Sequence, residues 1–186
     1  MTSYKSTQAL VIKKRLSKDQ DIQVTLLSPE LGKITALAKG AQSIKSSRLS
    51  SLQLGNHIKV SLYQKGDRYW ISEAKTITPF LKSEKKLTQL NLLFYFLEII
   101  NRFIAEEQVI PEIFTISKNL IDSINQNNFK EFIHGEIILL ETLGFGTSKE
   151  IENSYQQKDF KLCQKHLKNH LESIMEKPLQ SSKLFR

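Results

Sequence analysis

Three side chains near the end of the chain, Cys163, His166 and His170, are of types that bind transition metals. Steps of three and four residues align them along one helix, beside an apolar stripe that begins at Phe160. Three ligands on a single helix, with no fourth ligand evident, make a poor zinc site. We therefore expect a cysteine at the edge of the core with two boundary histidines, and the sequence predicts no metal and no cofactor.

Two short motifs resemble catalytic or nucleotide-binding signatures but are incomplete. The run Gly32-Lys33-Ile34-Thr35 is similar to the end of a phosphate-binding loop, yet Leu27 occupies the place of the required glycine. The run His134-Gly135-Glu136 matches the first half of a zinc deaminase signature, and the required Pro-Cys-x-x-Cys is missing. No nucleophile-elbow glycines or dense carboxylate pair occur either. The sequence therefore favours a protein that is not an enzyme.

Residues 31–66 are rich in cations and contain no carboxylate. Six cationic side chains lie there, although Glu30 and Asp67 stand just outside the stretch. Ordinary protein surfaces intersperse both signs of charge. A surface that contacts phosphates must instead keep anions away, because each phosphate contact requires a cation.

The charge is divided unevenly along the chain. Residues 1–80 carry thirteen Lys or Arg against five Asp or Glu, whereas residues 81–186 carry fourteen of each. The net charge of +8 therefore lies entirely in the first part. Such asymmetry predicts a polyanion-binding domain joined to a neutral one, with nucleic acid as the first candidate ligand and an acidic membrane surface as the second.

Cations and aromatic side chains of the first part are the candidate DNA contacts. Aromatic rings matter because bases of a single strand stack on them. The alternative for this region is a solvated basic face, with Trp70 in the core. The predicted DNA-binding residues are Lys13, Lys14, Arg15, Lys33, Lys39, Lys45, Arg48, Tyr63, Lys65, Arg68 and Tyr69.

The elements that would position these residues are strands. Period-two alternation predicts strands around 22–26, 34–38 and 58–62, and β-rich runs at 9–13 and 69–77 supply two more. Five short strands in about 75 residues are typical of a small barrel such as the OB-fold. The segment 42–51 contains five serines, which favours a mobile loop.

After Pro79 the pattern becomes helical. Helices are predicted at about 84–105, capped by Ser83, and at 111–126, 129–143 and 158–176, with a capping box at Thr147 and Glu150. The predicted fold class is α+β: an OB-fold barrel in residues 1–80 and a helical bundle in residues 81–186. Neither a membrane span nor a signal peptide is predicted, so we expect a cytoplasmic protein.

Three stretches resemble a known family. Residues 21–41, DIQVTLLSPELGKITALAKGA, are similar to the N-terminal signature of RecO, the bacterial recombination mediator, and Ser46–Leu49 fits the basic segment that follows it. Residues 141–145, ETLGF, and 177–181, KPLQS, resemble two shorter RecO motifs. The resemblance extends from the barrel to the last helix.

The resemblance implies a DNA-binding OB-fold followed by a helical domain that binds protein partners. It implies binding of single- and double-stranded DNA, annealing of complementary strands, and work with RecR and single-stranded DNA-binding protein to load RecA. Many family members are longer and carry a four-cysteine zinc module, which we expect to be missing here because Cys163 is the single cysteine. We expect a cytoplasmic, nucleoid-associated monomer with no membrane contact.

Two alternatives remain open on the residues alone. In one, the helical half is a protein-interaction scaffold and the barrel only adds solubility. In the other, the barrel is an RNA-binding OB module, because the contacts to 2′-hydroxyls that separate RNA from DNA are not readable from sequence.

Overall fold

The computed structural model describes residues 2–17, 19–43, 46–80 and 86–181. It has a closed five-stranded barrel followed by helices, which confirms the predicted α+β class. Contacts divide the chain into two compact units. We call residues 1–85 and 99–115 the barrel unit, and residues 86–98 and 116–186 the helical unit.

The barrel has the strand order β1-β2-β3-β5-β4, and β4 pairs back onto β1 to close it. The pairs are antiparallel except β3 with β5, which is parallel. This is a five-stranded barrel of the OB type. The strands are β1 Thr2–Leu16, β2 Ile22–Ser28, β3 Gly32–Ala38, β4 His57–Lys65 and β5 Arg68–Thr78.

Strand β1 is much longer than the five residues that the sequence pattern predicts. Its first part, Thr2 to Leu10, pairs with β4, and its second part, Leu10 to Leu16, pairs with β2. An irregularity between Val11 and Lys13 bends the strand at the change of partner. Strand β1 therefore pairs with both β2 and β4, which closes the sheet into a barrel.

The barrel interior is filled by small and branched apolar side chains that alternate with outward ones. Val24, Ile58, Val60 and Leu62 have no exposed surface, whereas Lys59 between two of them is exposed. This is the period-two pattern of a strand with one buried face. The alternation that predicted the strands therefore also fixes which side chains are available on the outer surface.

Residues beyond the barrel strands complete the barrel unit. The backbone amide of Glu107 donates to the carbonyl oxygen of Lys33 at 2.8 Å, and Glu106 forms an isolated parallel bridge with Lys33. Gly32, at φ +66°, allows this approach, because a Cβ there would clash with the carbonyl of Gln108. The segment 105–108 therefore lies directly against β3.

A short helix interrupts the serine-rich segment that was expected to be a loop. Helix α1 covers Arg48–Ser51. Asn56 ties it to the strand that follows, because its side-chain amide donates to the carbonyl oxygens of Ser50 and Ser51 at 3.2 and 3.0 Å. These two bonds satisfy carbonyl groups at the C-terminal end of the helix, which have no partner within the helix.

In the part of the chain that the structure describes, five further helices follow the barrel. They are α2 Leu87–Phe103, α3 Pro111–Asn125, α4 Phe129–Thr142, α5 Lys149–Gln156 and α6 Phe160–Met175. The predicted cap Ser83 lies outside the described residues. Among the helices that the structure describes, none is long and apolar enough to span a membrane.

Polar side chains cap the N-terminal ends of α4 and α5. One cap predicted from the sequence is wrong. Asn128 caps α4 by accepting from the amide of Glu131. The expected capping box at Thr147 and Glu150 is wrong, because Ser148 is the N-cap of α5 and accepts from the amide of Ile151. This eight-residue helix was missed, because it is short and its sequence KEIENSYQ is mostly polar.

Candidate nucleic-acid interface

The outer face of β1, β2 and β3 carries the first pair of predicted cations. Lys13 lies across from Thr25, and Arg15 lies across from Gln23, in the β1–β2 register. Lys13 is half-buried and Arg15 is exposed. Both line a small depression of about 380 Å³ whose floor is polar, with Thr25 and Thr35 among the lining residues. Two cations thus border a shallow polar surface.

A larger groove of about 610 Å³ continues this face between β3 and β5. Lys39 follows β3, Arg68 begins β5, and both are exposed and line the groove with Trp70. Gln23 and Thr35 line both depressions, so the two are contiguous. We call Lys13, Arg15, Lys39 and Arg68 the cationic face. It collects cations from β1, the end of β3 and the start of β5.

The same groove also contains carboxylates, which the sequence did not predict. Asp67, Glu106 and Glu107 line it, and Glu106 accepts a hydrogen bond from the hydroxyl of Thr35 at 3.3 Å. The expectation of a surface without anions is therefore corrected. Residues 31–66 lack carboxylates, but residues 106 and 107 bring two of them to the same surface across some seventy positions.

The β4–β5 hairpin carries two more of the predicted residues. Lys65 lies across from Arg68 at the tip, and both are exposed. Tyr63 lies across from Trp70 one step further in, with ring centroids 5.3 Å apart and planes at 7°. The structure therefore places Tyr63, Lys65 and Arg68 along the outer surface of one hairpin.

Lys33 does not present its ammonium group to solvent. Its side chain is 7% exposed, and Nζ donates to the carbonyl oxygen of Asn101 at 2.7 Å. Burial lowers the pKa of Lys33, and the nearby carboxylate of Glu106 opposes that shift. We therefore leave Lys33 out of the proposed interface, contrary to the prediction from the sequence.

Arg48 and Lys14 have roles within the barrel unit. The guanidinium of Arg48 donates to the carbonyl oxygens of Ile71 at 3.0 Å and Lys39 at 2.7 Å. Nζ of Lys14 donates to the side chain of Gln53 at 3.3 Å, and burial lowers its pKa. Lys45, another predicted contact, lies outside the described residues.

The aromatic residues are arranged differently from the prediction. Tyr69 is 8% exposed and belongs to the barrel core, where burial raises its pKa. Its neighbour Trp70 points outward, which overturns the alternative that placed Trp70 in the core. Tyr4, which the sequence analysis missed, is 79% exposed and lies beside Tyr63. The alternation of Tyr69 and Ile71 with Trp70 was the signal that distinguishes them.

The helical unit buries one acidic side chain. Glu136 is 1% exposed, and the hydroxyl of Tyr95 donates to its Oε1. Burial raises the pKa of Glu136 from 4.5 to about 8, although the bond from Tyr95 pulls the other way. Burial together with this carboxyl raises the pKa of Tyr95 well above its ordinary value. A pKa of about 8 favours the protonated form of this carboxyl at neutral pH.

The cysteine and histidines of α6 have partners of their own. Cys163 has no exposed surface, and its thiol lies 3.7 Å from the carbonyl oxygen of Ile151. Nε2 of His170 is 3.2 Å from the carbonyl oxygen of Gly146. Within the part of the chain that the structure describes, no group of three His, Cys, Asp or Glu residues is placed to hold a metal.

Comparisons with known proteins agree with this architecture. The family model described as recombination protein O N terminal matches residues 1–80. Proteins named DNA repair protein RecO are similar over most of this chain. The protein from Chloroherpeton thalassium is 30% identical over 146 residues, covering 76% of this chain and 56% of the relative.

Two further relatives have the same name. The protein from Acetivibrio thermocellus is 28% identical, over 77% of this chain and 58% of its own length. The protein from Clostridium novyi is 31% identical, over 75% of this chain and 56% of its own length. The chain thus spans a little over half the length of these curated relatives. With a five-stranded OB-type barrel at residues matched by the family model, the chain belongs to the RecO family.

Proposed function

We propose that the chain is a recombination mediator of DNA repair that binds single- and double-stranded DNA through the cationic face. The observation that carries this is the convergence of Lys13, Arg15, Lys39 and Arg68 on one continuous surface of the barrel unit. Each cation can contact a phosphate, and such contacts position a backbone without reading its sequence. DNA of any sequence is therefore the expected ligand.

Strand annealing follows from the same chemistry and needs no covalent catalysis. Two complementary strands repel each other through their phosphates, and cations that neutralise both backbones lower this repulsion. Lys13, Arg15 and Arg68 lie on strands of a closed barrel and Lys39 directly follows one, so a rigid scaffold fixes their spacing. The proposal is therefore for a protein that anneals strands but makes and breaks no bonds.

Protein partners are assigned to the helical unit in this proposal. A groove of about 760 Å³ lies there, with Leu92, Ile124 and Phe129 among its lining residues and Lys161 at its edge. Its apolar lining supports a partner-binding role for this unit. RecR and single-stranded DNA-binding protein are the proposed partners, and loading of RecA onto coated strands is the proposed outcome.

Annealing of complementary oligonucleotides coated with single-stranded DNA-binding protein tests the proposal. We expect the chain to accelerate annealing of coated DNA, and to do so less for a variant with Arg15, Lys39 and Arg68 replaced by Ala. RNA strands of the same sequence test the RNA-binding alternative. Acceleration of RNA alone would favour that alternative, and no acceleration of either would favour the scaffold.

A further inference from the structure

Three aromatic rings form a row across three strands of the barrel unit. Tyr4 of β1 lies across from Tyr63 of β4, and Tyr63 lies across from Trp70 of β5. The ring centroids of Tyr4 and Tyr63 are 6.3 Å apart with planes at 42°, and those of Tyr63 and Trp70 are 5.3 Å apart with planes at 7°. We call these three side chains the aromatic row.

The aromatic row lies outside the barrel. Tyr4 at one end is 79% exposed, and Trp70 at the other end lines the groove that carries Lys39 and Arg68. The neighbour Tyr69 shows the contrast, because it points inward and is packed in the core. The row therefore adjoins the cationic face, and its rings lie on the outer surface and are not part of the barrel core.

Cations lie beyond the row in both directions along β4 and β5, and the pair Ser61 and Glu73 separates the row from Lys59 and Lys75. Lys65 and Arg68 face each other towards the hairpin tip, and Lys59 and Lys75 face each other in the opposite direction. All four are exposed. Two carboxylates, those of Asp67 and Glu73, are also exposed on this hairpin, so cations outnumber anions by two to one on the hairpin itself, while Glu106 and Glu107 line the groove beside Trp70.

We infer that the aromatic row is a stacking platform that selects single-stranded DNA over duplex. The inference rests on the proposed function and deepens it. Phosphates of a strand that follows the hairpin meet the flanking cations, and its bases stack on the ring faces at the ends of the row. In a duplex the bases already stack on one another, so only the phosphate contacts remain.

Trp70 is the only tryptophan in the sequence and lies in this row, so its fluorescence reports directly on binding there. We would titrate the full chain with oligothymidylate and with an oligonucleotide of the same length whose residues are all abasic. Oligothymidylate should quench the fluorescence of Trp70 and bind more tightly, because only it has bases to stack. The abasic strand should bind through its phosphates with little quenching.

Substitution of Tyr4 locates the effect. Tyr4→Ala should weaken binding of oligothymidylate about fivefold or more, the lower end of the effect of removing one stacking ring. The matched variant Tyr4→Phe keeps the ring and should stay within about twofold of the parent. Neither substitution should change affinity for the abasic strand or for duplex DNA. Thermal melting checks that both variants fold.

Three outcomes would overturn the inference. If both single strands bind equally, with no quenching of Trp70 and no effect of Tyr4→Ala, the stacking platform is refuted while the proposed DNA-binding function stands. If the chain binds no DNA at low salt, the proposed function fails and this inference falls with it. A loss for Tyr4→Ala that is equal on the abasic strand would also refute stacking.

Discussion

The two units of the chain use charged residues in opposite ways. The barrel unit contains sixteen Lys or Arg and nine Asp or Glu, a net charge of +7, whereas the helical unit contains eleven and ten. In the barrel unit, exposed cations gather around two contiguous depressions. In the helical unit, the carboxyl of Glu136 is buried in the interior against Tyr95.

The comparison distinguishes exposed charges, which are available to a ligand, from a buried charged group, which affects the stability of the fold. Replacement of an exposed cation changes the free energy of unfolding little, because water already solvates its site. A buried carboxyl changes the free energy of unfolding with pH, because its protonation differs between the folded and unfolded states. Substitutions in the two units should therefore affect different measurements, which makes the comparison open to experiment.

The largest effect on stability is expected at Glu136. Its pKa is raised to about 8, so between its ordinary value of 4.5 and about 8 the folded state binds one proton more than the unfolded state. Stability should therefore fall as pH rises through this window, by up to about 1.4 kcal/mol per pH unit, and should level off above it. Glu136→Gln should remove this decline.

Urea unfolding at pH 6, 7 and 8 measures the decline. The parent and Glu136→Gln differ only at this carboxyl, so the difference between their pH profiles isolates its contribution. Tyr95→Phe is the companion variant, since it keeps the carboxyl and should keep a pH-dependent decline. Parallel pH profiles for the parent and Glu136→Gln would contradict the assignment, and DNA affinity should be the same for both.

Arg48 tests the comparison inside the barrel unit. Its guanidinium donates to two backbone carbonyl groups, so Arg48→Ala should lower stability by about 1–3 kcal/mol. It should leave the salt dependence of DNA binding nearly unchanged. Lys39→Ala, at an exposed position of the same region, should change the free energy of unfolding by no more than about 0.5 kcal/mol. It should make the salt slope of DNA binding flatter by about 0.7. Equal salt slopes for the two variants would refute this division.

A carboxylate in the groove should have a smaller and opposite effect. Glu106→Gln keeps an acceptor for the hydroxyl of Thr35 but removes a negative charge near the cationic face. Affinity for DNA should rise about twofold at low salt, and the gain should shrink as salt screens the charge. Glu141→Gln, at an exposed position of the helical unit, is the control. Weaker binding by Glu106→Gln would indicate that this carboxyl positions the interface.

The smallest expected effect concerns the residues of α6 that could bind metal. Cys163 and His170 each lie near a backbone carbonyl group, and burial raises the pKa of the thiol. We predict that a chelator leaves the melting temperature unchanged. Elemental analysis that finds one zinc per chain would show this prediction to be wrong.

Local patterns in the sequence predicted most of the architecture. Alternation in β2, β3 and β4 and helical periodicity after Pro79 led to the OB-type barrel and the helices. The first part of β1 was not predicted, because Thr2 to Gln8 is polar and is held by its pairing with β4. Helix α5 was missed for lack of apolar residues. Pairing between strands far apart in sequence leaves no local signal.

The candidate interface was only partly predictable for the same reason. Which cations of the barrel unit are exposed depends on what covers them, and Lys33 is covered by a segment some seventy residues away. The carboxylates of Glu106 and Glu107 reach the groove through that same segment. Tyr69 and Trp70 could have been distinguished, since strand alternation alone places them on opposite sides.

Salt dependence of binding tests the central claim most directly, which is that the cationic face contacts phosphates. The test variant has Arg15, Lys39 and Arg68 replaced by Ala, all exposed in the barrel unit. The matched control has Lys130, Lys149 and Lys165 replaced, all exposed in the helical unit, so both lose three positive charges. Affinity for a single strand is measured at several salt concentrations, with circular dichroism as the control for folding.

The measured quantity is the slope of the logarithm of affinity against the logarithm of salt concentration. This slope should be flatter by about 2 for the barrel variant, because each phosphate contact on a single strand contributes about 0.7. The control variant should keep nearly the parent slope. The loss in the barrel variant should be similar for different DNA sequences, since phosphate contacts read no bases. A folded barrel variant with the parent slope, or equal changes in the two variants, would contradict the claim that this face binds DNA.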